Sequence, residues 1–254
     1  SYKDELLSRS GELKSKFKDK FEMIDGPYLN TEYLAIFVDS SDQNITNNPL
    51  QNIYVRKAIN YGFNREKMIH YLRNGIGTPG NQGIIPSGML SYDSESDYGY
   101  SYDPQKSKQL LKKAGYGISN PVPEINLTTT PDYLDLCKFV QSQLKDVGII
   151  INIQVSPSAT VRELKAHGKL NFFRASWIAD YPDEENYLSM FYTPNFAPNG
   201  PNYTHFKNAQ FDQWYLESSK ETNDSIRITL YQKMDSLLIS EAPIVPLYYD
   251  EVLR

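Results

Sequence analysis

Between Trp177 and Asn186 the chain places an indole, four carboxylates (Asp180, Asp183, Glu184 and Glu185) and the phenol of Tyr181 within ten residues. A carboxylate close behind a large aromatic ring suits a cation such as an amine: the ring face attracts positive charge, and a desolvated ammonium needs an ionic partner. Asp180 is the candidate for that role, with Trp177 and Tyr181 beside it. The same run also reads as a solvated acidic turn in which Asp183 caps the following helix. Paired carboxylates allow a glycosidase-type arrangement as well, Asp180 acting with Glu184 or Glu185. No Gly-x-Ser-x-Gly, His-Glu-x-x-His or phosphate-binding loop accompanies them, so the residues point to a binding module and not an enzyme.

Other chemistry-bearing residues are sparse. His70, His167 and His205 are too scattered in sequence to suggest a metal site, and no cofactor or metal is expected. The single cysteine, Cys137, excludes a disulfide framework and any Cys-x-x-Cys motif. A net charge of −5 with no basic cluster argues against a nucleic-acid partner. The 20 tyrosines read either as packing or as an amphipathic contact surface.

The elements that must hold the acidic loop follow from periodicity. Residues 1–30 carry Leu6, Leu7, Leu13, Phe17 and Phe21 at loosely helical spacing, and Tyr33 to Val38 reads as a buried strand, too short to span a bilayer. Residues 39–50 read as a loop. Val55, Ala58 and Ile59 share one helical face, and Met68, Ile69 and Leu72 another, with Asn64 as the cap between them. Residues 75–102 are a long surface excursion rich in Gly, Pro, Ser and Asp. Asp103-Pro104 then opens a helix, because the Asp side chain caps free amides and Pro lacks only an N–H that would go unpaired.

Farther along, alternation at Ile125, Leu127 and Thr129 gives a strand. A helical repeat from Tyr133 to Val147 is followed by alternation from Ile149 to Val155, a helix around Val161 and Leu164, and a strand from Leu170 to Trp177. This strand-helix-strand-helix-strand order predicts parallel α/β pairing, with the ligand beyond the carboxyl ends of the strands, where the 177–186 loop lies. Two more helices follow, the second burying Ile226, Leu230, Met234, Leu237 and Leu238. The chain closes on an extended Pro243 to Tyr249, whose prolines point to a sheet edge.

Four stretches resemble the peptide and nickel family of extracytoplasmic solute-binding proteins. They are Asn48-Pro49-Leu50 with Val55-Arg56-Lys57-Ala58-Ile59-Asn60-Tyr61-Gly62-Phe63-Asn64-Arg65-Glu66-Lys67; Tyr102-Asp103-Pro104 with Lys106, Lys108, Leu110, Leu111, Ala114, Gly115 and Tyr116; Trp177-Ile178-Ala179-Asp180-Tyr181-Pro182-Asp183; and Ala242-Pro243-Ile244-Val245-Pro246-Leu247-Tyr248. The chain departs from the family pattern at Val38, often Asn, and at Gly168-Lys169-Leu170-Asn171 before the site strand.

The resemblance implies an α/β fold: lobe two of a type II periplasmic-binding-protein fold, a central mixed sheet flanked by helices. It implies residues 1–30 as the end of lobe one or a linker, 31–240 as the ligand-binding lobe, and 241–254 as the return crossing towards a missing lobe one. It assigns Asp180 to a peptide's α-amino group and Arg174 to a ligand carboxylate, and it places His167 and Lys165 near a stretch used for longer ligands. The implied partners are short peptides and the permease subunits of an ABC importer, with the protein acting as an extracytoplasmic monomer, periplasmic or lipid-anchored. The alternative is the ligand-sensing domain of a transcription regulator.

Overall fold

The computed structural model describes residues 5–39 and 48–254, and every structural statement concerns these. Six strands, β1 (Asp25–Ile36), β2 (Thr78–Pro79), β3 (Ile125–Thr129), β4 (Ile151–Val155), β5 (Phe172–Ile178) and β6 (Ile244–Leu253), form one sheet in the order β2-β6-β1-β5-β3-β4. The helices are α1 (Ile53–Tyr61), α2 (Arg65–Arg73), α3 (Pro104–Lys113), α4 (Leu134–Asp146), α5 (Ser158–Ala166), α6 (Ala209–Ser218) and α7 (Asp224–Glu241), with shorter helical turns between. β3 pairs in parallel with both β4 and β5, as the strand-helix-strand order requires. β1 runs antiparallel to β5 and β6, so the whole is the mixed sheet expected.

Local chemistry sets the helix starts. Asn64 Oδ1 accepts the Lys67 amide at 2.8 Å, and Asp103 Oδ1 accepts the Lys106 amide at 2.8 Å ahead of Pro104. Asn52, Asn208 and Asn223 cap α1, α6 and α7 in the same manner. α2 ends at Asn74 and Gly75, both at positive φ, which only residues tolerant of the left-handed region adopt cheaply.

Strand alternation divides the core between the two faces of the sheet. Leu34, Ile36, Phe172, Val245 and Leu247 meet Val55, Ile59, Met68, Val140 and Leu144 from α1, α2 and α4. Tyr33, Ala35, Phe173, Ala175 and Ile244 meet Phe211, Met234 and Leu238 from α6 and α7. Each fully buried Phe contributes about 1.5–3 kcal/mol of transfer free energy, and a one-residue slip of β5 would exchange Phe172 and Phe173 between faces.

Two arginines of the first family-like stretch join these layers. Arg65 is fully buried, donating to the Pro246 carbonyl at 2.7 Å, to Asn60 O at 2.9 Å and to Asn60 Oδ1 at 3.1 Å. Arg56 donates to the carbonyls of Leu50, Gln51, Glu241 and Ala242, tying the start of α1 to the end of α7. Burial lowers both guanidinium pKa values to about 10, still far above neutrality.

The structure changes several expectations. The helical spacing read in residues 1–30 yields a four-residue turn at Ser15–Lys18, and β1 begins at Asp25, well before Tyr33. Most of the loop expected at 39–50, residues 40–47, lies outside the described residues; Pro49–Gln51 form a 3-10 turn. Ile226 is exposed, because it sits in the first turn of α7 before that helix reaches the sheet. β6 is flanked by the two-residue β2, so it is one strand removed from the edge. Its Pro246 is accommodated at an irregularity, where the register against β1 jumps between Glu32 and Tyr33.

Candidate functional site

β5 carries Arg174 and Trp177 to its carboxyl end and delivers the chain into the 179–186 loop. Alternation sends the two side chains to opposite faces: Trp177 packs with the Phe173 cluster, while Arg174 shares the face of Phe172. The loop is anchored at its start, where the Ala179 amide donates to Leu29 O at 2.8 Å, and past its end, where the Tyr187 hydroxyl donates to the same oxygen at 2.5 Å.

The four carboxylates have distinct fates. Glu184 is buried and accepts the Ser91 amide at 2.6 Å. Asp183 accepts the Glu185 amide at 2.9 Å, the Tyr231 hydroxyl at 2.8 Å and Arg227 Nη2 at 2.5 Å. Burial pushes the Asp183 carboxyl up, but those three hydrogen bonds together hold it below the usual aspartate value. Glu185 accepts the hydroxyls of both Tyr181 and Tyr215, the latter ring stacked on Tyr192 at 4.4 Å. Asp180 alone is exposed, with no hydrogen bond or ion pair to its carboxylate among the described residues.

Asn186 organises this corner. Buried in the short helical turn Glu185–Leu188, it accepts Trp177 Nε1 at 2.7 Å and the Asp180 amide at 3.3 Å through Oδ1. The Tyr181 hydroxyl is held instead by Glu185, whose carboxylate is the chief cause of its raised pKa. Trp177 and Asp180 are therefore tied together by a residue that sequence reasoning did not single out, while Tyr181 is held by Glu185. A buried asparagine inside an acidic turn carries no sequence signal that separates it from its exposed neighbours.

Arg174 and His167 lie elsewhere. Arg174 donates from Nε to Glu32 Oε2 at 2.9 Å, with Nη2 on the same oxygen, and its guanidinium sits 3.2 Å from the Tyr133 ring centroid. Burial raises the Glu32 pKa even though Arg174 and Asn30 favour the carboxylate. His167 is exposed just after α5, its Nδ1 2.9 Å from Glu163 O. It precedes β5 while Asp180 follows it, so roughly 20 Å of strand lies between them at ~3.3 Å per residue. Lys165 lies over the Tyr203 ring at 4.4 Å; burial lowers its pKa, and the neighbouring Arg174 and Arg162 add to that.

The arrangement offers one exposed, unpartnered carboxylate, Asp180, whose backbone shares the Asn186 acceptor with the Trp177 indole. It provides no nucleophile with a base, and the glycosidase partners of Asp180 are already engaged as hydrogen-bond acceptors. No cluster of metal-ligating side chains occurs among the described residues, nor is any described helix long and apolar enough to cross a membrane.

Comparison with known proteins fits this architecture. Heme-binding protein A of Haemophilus influenzae is 27% identical over 237 residues, covering 92% of this chain and 42% of that protein. The glutathione-binding protein GsiB of Shigella flexneri is 27% identical over 241 residues, covering 91% and 45%. The DppA periplasmic binding protein of Helicobacter pylori, solved in complex with the peptide STSA, superposes with a TM-score of 0.77 at 22% identity, covering 94% of this chain and 45% of that one. The chain thus spans less than half the length of these relatives and has the fold of a single lobe of type II periplasmic binding proteins. Residues 7–199 match the family described as bacterial extracellular solute-binding proteins, family 5 (middle region), and the chain belongs to that family.

Proposed function

We propose that the protein containing this chain is the substrate-capturing component of an ABC importer, working outside the cytoplasmic membrane and handing its ligand to the permease subunits. Its ligands are short peptides with a free α-amino group, gripped between this lobe and a second one. The residues before β1 and the end of β6, where Asp25–Pro27 pair with Glu251–Leu253, would lead towards that second lobe. The observation that carries the reading is the exposed, unpartnered Asp180 carboxylate, three residues after Trp177, in a loop whose other three carboxylates are occupied. An α-ammonium entering there gains an ionic partner and an aromatic face at once.

A ligand carboxylate would reach Arg174 only by sharing the guanidinium with Glu32, so the amine end contributes most of the recognition. Main-chain hydrogen bonding along an extended peptide supplies the rest without reading side chains. Glutathione also presents a free α-amine and falls within this class; heme does not. The regulator alternative draws no support from the relatives found.

Calorimetry on the intact protein with trialanine, N-acetyl-trialanine, glutathione and heme tests the reading. Free-amine ligands should bind, and acetylation and Asp180→Ala should each weaken trialanine by about 100-fold or more without adding to one another. Equal binding of acetylated and free trialanine, or tight binding of heme alone, would overturn it.

A further inference from the structure

The hydrogen bonds around Asn186 carry an inference about how the amine site is held. One side-chain oxygen accepts both the Trp177 indole N–H and the Asp180 amide. Trp177 and Asp180, which would both meet an ammonium, thus share one buried anchor, and that anchor has no access to a ligand of its own: Asn186 is only 5% exposed. The Asp180 carboxylate has no partner among the described residues to fix it, so its position depends on the backbone beneath it. Asn186 bonds that backbone directly.

We infer that Asn186 is a positioning residue that sets the free-amine preference of this site by locking Asp180 against Trp177. The inference rests on the amine-binding reading above and adds the residue that enforces it. Without the shared acceptor, the indole N–H loses its partner and the Asp180 backbone is free to turn. A flexible carboxylate must then be ordered by the ligand itself, which weakens binding of the free amine and leaves an acetylated ligand almost untouched.

The test compares trialanine with N-acetyl-trialanine on the intact protein. Asn186→Leu keeps the buried volume and deletes the acceptor; it should cut the preference for the free peptide by on the order of tenfold while changing affinity for the acetylated form less than about twofold. Asn186→Asp keeps the acceptor and should retain the preference. Should the leucine variant not fold, Asn186→Ser, whose hydroxyl is too short to reach both donors, should show the same loss.

A ligand-independent readout accompanies these. Of the two tryptophan indole N–H resonances, that of Trp177 should move upfield in the leucine variant and stay in place in the aspartate variant. A leucine variant with native preference, or one that loses free and acetylated peptide equally, overturns the positioning role. Asp180→Ala run in parallel separates the two claims. If it abolishes the preference while Asn186→Leu keeps it, only the positioning role fails; if it leaves the preference intact, the amine reading itself fails.

Discussion

Arg174 on β5 and Glu32 on β1, 142 residues apart in sequence, form a two-nitrogen, one-oxygen ion pair across adjacent strands, with the guanidinium stacked on Tyr133. Their side chains are 13% and 4% exposed, so neither charge can be rehydrated when its partner is removed. Glu32→Ala should therefore destabilise the protein by about 3–5 kcal/mol, as for other buried pairs broken on one side. The double variant Glu32→Leu with Arg174→Met should recover most of that loss. Urea unfolding of the three variants measures it, and a single variant as stable as the parent would show that the pair is hydrated in solution.

The buried Asp235 makes stability depend on pH. Its carboxylate accepts the Ile84 amide at 2.8 Å and the Ile85 amide at 3.5 Å, pinning the 75–102 excursion to α7. Burial dominates those hydrogen bonds and raises its pKa from 3.8 to about 7. A raised acid binds its proton more tightly when folded, so its stabilisation is complete below pH 3.8 and is lost as pH rises through about 7. Asp235→Asn, which keeps an acceptor for Ile84, should flatten this part of the stability profile and leave the protein more stable than the parent at pH 8. Thermal melts from pH 4 to pH 8 give the answer; parallel profiles for parent and variant would count against it.

Gly83 lies on that same carboxylate. A Cβ built there would sit 2.0 Å from Asp235 Oδ2, and the excursion is held beside it by Tyr249, whose hydroxyl bridges the Gly83 amide and carbonyl at 3.0 and 2.9 Å. Gly83→Ala is expected to cost about 1–3 kcal/mol through overpacking, where typical surface substitutions change stability by about 0.5 kcal/mol or less. Chemical denaturation distinguishes these outcomes.

Arg65 should be intolerant of truncation. Its fully buried guanidinium serves four acceptors on Pro246, Asn60 and Tyr100, so Arg65→Ala orphans those groups and opens a cavity under α2. A loss above about 3 kcal/mol is expected. Arg65→Lys, a point charge without the planar fork, should not restore stability. Full rescue by lysine would mean that charge alone matters there.

Asp180→Asn gives the complementary result. The carboxylate is exposed and unpartnered, so its removal should shift stability by no more than about 0.5 kcal/mol while free-amine ligands bind far more weakly. A large drop in melting temperature would mean that Asp180 has a structural role.

What the sequence determined by itself was local. Asn64 and Asp103 were legible as caps because a cap is satisfied within three residues, and the α4 and β3 patterns were legible because 3.6- and 2-residue periods need no knowledge of partners. The acidic loop after Trp177 could be located for the same reason, from a strand and the turn that follows it. Only the tertiary structure decided which of its carboxylates stays free. The partners of the other three, Ser91, Arg227 with Tyr231, and Tyr215, arrive from distant segments, as Glu32 arrives beside Arg174 and Ile84 beside Asp235. Those pairings follow from sheet order and helix packing, in which β6 reaches β1 across the whole chain, and no local period encodes that register.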